Sequence, residues 1–303
     1  MVCLTPISLI LPNLKTSLSY LPQLKQDQIL QVVEIIKEVA KPEKIILFGS
    51  YATGTWVEDK YIEDGTRFEY ISDYDFLIIT SITDEKEYLL KDKIVNRTRN
   101  LFKTPVNPII HSLQYINEGL GIGQYFFSDI INEGVLLYDY NAIPFSTPRE
   151  LTNDEKKEIA QSYFDKWFTS ASNFLNFSID AFNSLIIENK PLNDAAFLLH
   201  QTCERLYNTI LLVFTGYKPK THNIDILRQY SKHLSEDVFK IFPFPIDNKF
   251  EAHLFDLLKR GYIDARYKDD YIISEEEFNI LLSRIKNMKE IVERISIEKI
   301  SSF

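Results

Sequence analysis

The sequence predicts an α+β first domain, a mixed β-sheet with helices, followed by an all-α helical bundle. Two observations predict it. Apolar runs of strand length, such as Lys44-Ile45-Ile46-Leu47-Phe48 and Phe76-Leu77-Ile78-Ile79, are confined to the first half. From Leu151 onward that pattern gives way to apolar residues at the helical period. The length of 303 residues suits two domains of ordinary size, and 45% hydrophobic residues are ample for two cores. The expected division is an extension over 1–23, an α+β domain over 24–150 and a helical bundle over 151–303.

Residues 2–11 are apolar but interrupted at Pro6 and bounded by Pro12, with no basic lead, and are too short to span a bilayer. A helix is expected over about 24–40, then a strand ending at Gly49-Ser50. Residues 56–71 carry β-branched and aromatic residues on both sides of Glu63-Asp64-Gly65, which reads as an inserted hairpin around an Asp-Gly turn. A strand carrying Ser72-Asp73-Tyr74-Asp75 follows, and another is expected over 106–112.

In the second half, Asn153-Asp154-Glu155-Lys156 starts a long helix whose stripe of Phe164, Phe168, Phe174 and Phe177 is expected in the core. A second helix begins after Pro191 and ends at Gly216. Thr221 is expected to cap a third. A Pro-rich linker over 242–245 precedes a helix through Leu254, Leu257 and Leu258, and Ser274 caps the last, which runs to about Glu298.

The chemistry concentrates in the first half. A strand places residues i and i+2 on one face, so Asp73 and Asp75 project together while Tyr74 and Phe76 point away. Two carboxylates side by side at the start of a buried strand repel each other unless a cation sits between them. Mg²⁺ suits such hard oxygens and keeps waters and a phosphate as further ligands. Gly49 lets a phosphate approach the backbone, and Ser50 adds a hydroxyl at the start of the next helix. Together the two segments describe a metal-nucleotide site.

This order of strand, Gly49-Ser50, spacer, Ser72-Asp73-Tyr74-Asp75 and apolar strand resembles the nucleotidyltransferase superfamily of the DNA polymerase β type. The likeness is to its minimal and kanamycin-nucleotidyltransferase-like members, and covers roughly the first half of the chain. The resemblance implies that Gly49, Ser50 and Ser72 contact the nucleotide, and that Asp73 and Asp75 bind Mg²⁺ or Mn²⁺ and carry catalysis. It further implies transfer of a nucleoside monophosphate, AMP foremost, from an NTP donor to a hydroxyl acceptor that the sequence does not identify. Two departures stand out. The spacer before Ser72 is longer than in the small members. The third carboxylate of the family is missing from residues 106–112, where Asn107 or His111 could occupy its place.

His200-Gln201-x-x-Glu204, Thr221-His222 and Tyr262-Ile263-x-Ala265-Arg266-Tyr267 resemble the HEPN domain, named for nucleotide binding in higher eukaryotes and prokaryotes. The resemblance covers about 154–298. It implies nucleotide binding by Arg266 and Tyr267, pairing with minimal nucleotidyltransferases, and a homodimer through the helical half. Many HEPN proteins are RNases with an Arg-x(4–6)-His motif. No His follows Arg266 at that spacing, and Arg228 and His233, which fit it, diverge by about 140° on a helix. Arg266 is expected to pair with Asp264 or Asp270.

Net charge is −9, and neither half is basic, with 14 basic against 20 acidic residues up to Glu150 and 20 against 23 beyond it. A broad nucleic-acid surface is therefore not expected. Cys3 and Cys203 lie far apart and the five His have no Cys cluster, which argues for a reducing compartment and against a zinc site. The expectation is a cytoplasmic protein without a membrane span. Two alternatives to the transferase stay open. One is a weak or inactive nucleotide-binding sensor or assembly module. The other is a toxin-antitoxin-like HEPN RNase fusion.

Overall fold

The computed structural model describes residues 14–63, 66–81, 86–140, 143–243 and 248–303. The chain divides into two compact units that exchange at Glu150 and Leu151, with the short segment Ile62–Phe68 counted in the second.

In the first unit, helix α1 (Gln23–Ala40) places Ile29, Val32, Val33, Ile36 and Ala40 on one buried stripe, the spacing of a core-facing helix. The strand β1 (Lys44–Phe48) leads into a single-turn helix, α2 (Ser50–Thr53). β2 (Glu58–Glu63) and β3 (Thr66–Ile71) form a separate two-stranded sheet, the inserted hairpin expected from the sequence. Its Asp64-Gly65 turn lies outside the described residues, as does the apolar run 2–11.

β4 (Tyr74–Thr80), α3 (Glu87–Thr98), β5 (Val106–Ser112), α4 (Leu113–Gly121), α5 (Tyr125–Glu133) and β6 (Val135–Asp139) complete the unit. The main sheet has the order β5-β4-β1-β6. β1 pairs antiparallel with β4 and β6, and β4 runs parallel to β5. β1 and β4 are therefore the two inner strands. Their unbroken apolar sequences are what burial on both faces requires. Tyr74, Phe76 and Ile78 pack with α1 and with Leu90 and Ile94 of α3 in one core.

From Leu151 on, the elements formed by the described residues of the second unit are helices: α6 (Asn153–Ile187), α7 (Asn193–Thr215), α8 (Ile224–Ser231), α9 (Glu236–Lys240), α10 (Lys249–Arg260), α11 (Asp264–Tyr267) and α12 (Glu275–Ser301). The long helices have identifiable caps. Thr152 with Glu155, and Ser274 with Glu277, each form a reciprocal capping box. Gly216 ends α7 in the left-handed conformation. α8 is capped by Asn223, whose side chain accepts from the Asp225 N–H, whereas Thr221 accepts from Asn223 one step earlier. The expected cap thus moves by two residues. α7 is the central helix, with Leu199, Cys203, Leu206, Tyr207 and Ile210 in a core shared with α6, α10 and α12. Phe168 belongs to that core, but Phe177 is 54% exposed, so the expected aromatic stripe turns outward along α6.

Candidate functional site

Gly49 sits at φ 72° and ψ −155°, a backbone region that side chains other than Gly's rarely enter. A Cβ here would stand 2.6 Å from Oδ2 of Asp75, so conformation and space both demand glycine. Its carbonyl accepts the Ala52 and Thr53 N–H groups, turning the chain from β1 into α2. Ser50 Oγ, at the start of that turn, is buried without a hydrogen-bond partner.

Asp73 and Asp75 are buried at the start of β4, only 3% and 4% exposed. Tyr74 between them belongs to the core on the α1 side, so pleat alternation sends both carboxylates to the opposite face. The ladder sets Asp75 opposite Phe48 on β1 and opposite Asn107 on β5. Asn107 donates from Nδ2 to Asp75 Oδ1 at 2.8 Å. Gly49, Asp75 and Asn107 therefore meet at one point of the sheet.

His111 goes elsewhere. It lies opposite Ile79, about 13 Å farther along the strand from Asn107 at 3.3 Å per residue. There its Nδ1 is 3.3 Å from Glu87 Oε1, and its ring packs on Tyr115 and Phe127. Among the described residues no three His, Cys, Asp or Glu side chains gather as a metal site. A cation would thus draw on the two aspartates and neutral oxygens. On α3, burial pushes the Lys91 amine down to about 8 against the pull of the Asp92 and Asp75 carboxylates.

Ser72 ties down the base of the hairpin. Its Oγ accepts the Val57 N–H at 2.9 Å, and its own N–H reaches the Val57 carbonyl at 2.9 Å. Beside it, the Lys25 ammonium is ion-paired with Glu58 and lies 5.4–5.9 Å from the ring centres of Tyr51, Trp56 and Tyr74. Tyr51 and Trp56 are stacked at 5.3 Å. Sequence reasoning missed this box. Its only sign was a buried-face lysine in an otherwise apolar helical stripe.

In the second unit, three motifs distant in sequence converge on Tyr262. His222 Nδ1 is 3.1 Å from Oε1 of Glu204, and both His200 and His222 stack on the Tyr262 ring. Arg266 donates to the Tyr262 carbonyl. The expected pairing of Arg266 with Asp264 is not formed. Asp264 is held by Arg260 at 2.6 Å and Lys268 at 3.1 Å, and these hydrogen bonds lower its pKa. Tyr267 is 73% exposed beside Arg266.

The RNase spacing Arg228-x(4)-His233 does not assemble a site. Arg228 is 2% exposed and donates to the Phe239 and Phe242 carbonyls, while α8 ends at Ser231, before His233. Cys203 is buried, and burial raises its thiol pKa well above the ordinary value. No described helix is long and apolar enough to cross a membrane.

No curated protein matches the chain. A family model does match within the helical unit, from Phe164 on α6 to Ile295 on α12, and leaves the first unit outside it. The family is the HEPN domain, whose model residues 164–295 match.

Proposed function

We propose that the first unit is a nucleotidyltransferase, dependent on Mg²⁺ or Mn²⁺, that moves a nucleoside monophosphate from an NTP to a hydroxyl acceptor. AMP is the monophosphate expected, and the HEPN domain binds nucleotide alongside. The observation that carries this reading is the contact of the Gly49 turn with Asp75, where a single added carbon would collide with the carboxylate. The donor set fits a hard divalent cation: two buried carboxylates and a buried serine hydroxyl without a hydrogen-bond partner.

A bound cation would neutralise the triphosphate and make its α-phosphorus more electrophilic. The remaining work falls to the chain. Gly49 admits a phosphate to the backbone, and Ser50 offers its hydroxyl. Asp73 and Asp75 hold the cation. Asn107 fixes the rotamer of Asp75 through its amide. Catalysis of this kind is mostly alignment plus charge neutralisation.

The test is release of pyrophosphate from labelled ATP and Mg²⁺ with candidate hydroxyl acceptors. Asp73→Ala and Asp75→Ala should abolish it, while Asp180→Ala on exposed α6 should not. Equal loss in all three, or full activity in the first two, would overturn the assignment.

A second reading is a nucleotide-binding module without turnover. It is favoured by the occupant of the third position, Asn107, which is neutral and donates to Asp75 instead of drawing a proton from an acceptor. Tight ATP binding with no pyrophosphate release on any acceptor would select it. The homodimer implied for the helical unit is tested by sedimentation of the full chain.

A further inference from the structure

The two halves of the proposed site also meet behind the sheet. Tyr51 follows Ser50 directly, and Tyr74 stands between Asp73 and Asp75. Both rings are fully buried in the core on the α1 face, with centroids 4.5 Å apart. The residues offered to a nucleotide and the residues packed into this core are thus immediate neighbours in the chain.

Lys25 of α1 is inserted at that junction. It is buried, in a stripe otherwise made of residues such as Ile29, Val32 and Ile36, and its ammonium lies over the rings of Tyr51, Trp56 and Tyr74. It is ion-paired with Glu58 and donates to Thr104 Oγ1 at 3.2 Å. The partners enter from separate segments: Tyr51 from α2, Trp56 and Glu58 from the start of the inserted hairpin, Tyr74 from β4, and Thr104 from the turn before β5. A backbone bond closes the same seam, from the Tyr74 N–H to the Pro105 carbonyl at 2.8 Å. A buried ion pair seldom stabilises a core more than apolar residues of the same size. What the charge supplies here is direction, since one ammonium fixes three rings, a carboxylate and a hydroxyl about a single point.

We infer that Lys25 is a positioning residue for the reaction proposed for the first unit, and that its aromatic box sets the gap between the Gly49-Ser50 turn and the Asp73/Asp75 pair. Any shift of Tyr51 against Tyr74 carries Ser50 with it relative to both carboxylates. Glu58 ties the inserted hairpin into the same support, so the hairpin is braced against the site from behind. This role, which rests on the nucleotidyltransferase reading, belongs to residues that touch neither nucleotide nor cation.

The test measures two affinities of the full chain: Mn²⁺ alone by electron paramagnetic resonance, and Mn²⁺ with α,β-methylene-ATP by calorimetry. The part of nucleotide binding lost in Asp73→Ala is read as that of the first unit. Mn²⁺ alone is held by the charge of two aspartates at the start of one strand, whereas the metal-nucleotide needs strand and turn in register. Lys25→Met, which keeps the length of the side chain, should therefore weaken the metal-nucleotide by about tenfold or more and Mn²⁺ alone by less than about threefold. The Glu58 side chain is 39% exposed and is hydrated once its partner is gone, so the variant should fold. Should it melt early, adding Glu58→Gln removes the leftover charge, and the double variant should show the same split. Lys44→Met is the control: Lys44 is also buried and ion-paired, with Asp139 at 2.6 Å, but begins β1 at the end away from Gly49. Both affinities should survive that change. Trp56, the only tryptophan left in a Trp167→Phe chain, should change its emission on Mg²⁺ with α,β-methylene-ATP and stay still on Mg²⁺ alone.

Equal weakening of Mn²⁺ and the metal-nucleotide in Lys25→Met would reduce Lys25 to a residue of general stability and overturn the positioning role. Nucleotide affinity indifferent to Lys25 would overturn it too, and would leave the nucleotidyltransferase reading standing. Trp56 emission unmoved by a nucleotide that does bind would overturn the tie between hairpin and turn. If Asp73→Ala loses no nucleotide binding, because the native chain holds none at its carboxylates, the positioning role and the nucleotidyltransferase reading fall together.

Discussion

Asn107 donates its side-chain amide to Asp75 at 2.8 Å across the parallel β4–β5 ladder, at the point where the family resemblance leads one to expect a third acid. An amide there orients one carboxylate without adding negative charge. The site therefore carries less electrostatic repulsion than a three-carboxylate cluster, and less attraction for a second cation. Asn107→Asp should raise the affinity for Mn²⁺ in a metal titration followed by electron paramagnetic resonance. Unchanged affinity would place the cation away from β5.

Gly49→Ala should cost about 1–3 kcal/mol from backbone strain alone, because φ 72° with ψ −155° is disfavoured for any residue with a Cβ. Its methyl also displaces Asp75 Oδ2 from 2.6 Å, so pyrophosphate release should fall even at temperatures where the variant stays folded. Chemical denaturation and the ATP assay read the two effects separately.

Arg228 is a core residue despite its charge. Its guanidinium lies 3.7 Å above the Phe239 ring and satisfies two backbone carbonyls. Arg228→Ala should destabilise the chain by about 3–5 kcal/mol, through an emptied volume and carbonyls left without a donor. His233→Ala should leave RNA intact or cleaved to the same extent as the native chain does. A loss of RNA cleavage confined to His233→Ala would reverse the exclusion of that pair.

Phe168 and Phe177 share one helix and make opposite predictions. Phe168 is 8% exposed and stacks on Phe164 at 4.7 Å, so its alanine variant should lose about 3–5 kcal/mol. Phe177 is 54% exposed, and its truncation should stay within about 0.5 kcal/mol. Urea midpoints for the two variants decide it.

Burial lowers the proton affinity of His200 more than the Leu258 carbonyl and the Glu204 charge raise it. The unfolded chain thus takes up this proton at a higher pH than the folded one. The sign follows: stability is full above the ordinary imidazole range and declines as pH falls through it. The slope for this one group is at most about 1.4 kcal/mol per pH unit. His200→Gln should flatten the fall in urea stability between about pH 7.5 and about pH 5.5. A slope unchanged by the substitution would show that other groups carry it.

Much of this was legible in the sequence, for local reasons. Gly49, the Asp73/Asp75 alternation and the 106–112 strand follow from pleat period and steric need, and the capping box at Ser274 follows from residues three apart, whereas the box on α6 sits at Thr152, one residue before the start expected at Asn153. The meeting of Glu204 with His222 was not legible, because it joins two elements 18 residues apart by tertiary packing. Nor was the fate of Arg228. A periodicity argument separates it from His233 but cannot reveal that its head is buried on two carbonyls. Arg266 misled for a related reason. Asp264 is its neighbour in sequence, but Arg260 and Lys268, one turn away on either side, reach that carboxylate first.

β4 is hydrogen-bonded along both edges, antiparallel to β1 and parallel to β5. Its amides should be among the slowest in the first unit to exchange with deuterium, since opening them requires the sheet itself to come apart. The two aspartates are therefore mounted at the start of one of the sheet's two inner strands. Fraying of the periphery, by heat or by mild urea, should leave their spacing intact until the whole sheet melts.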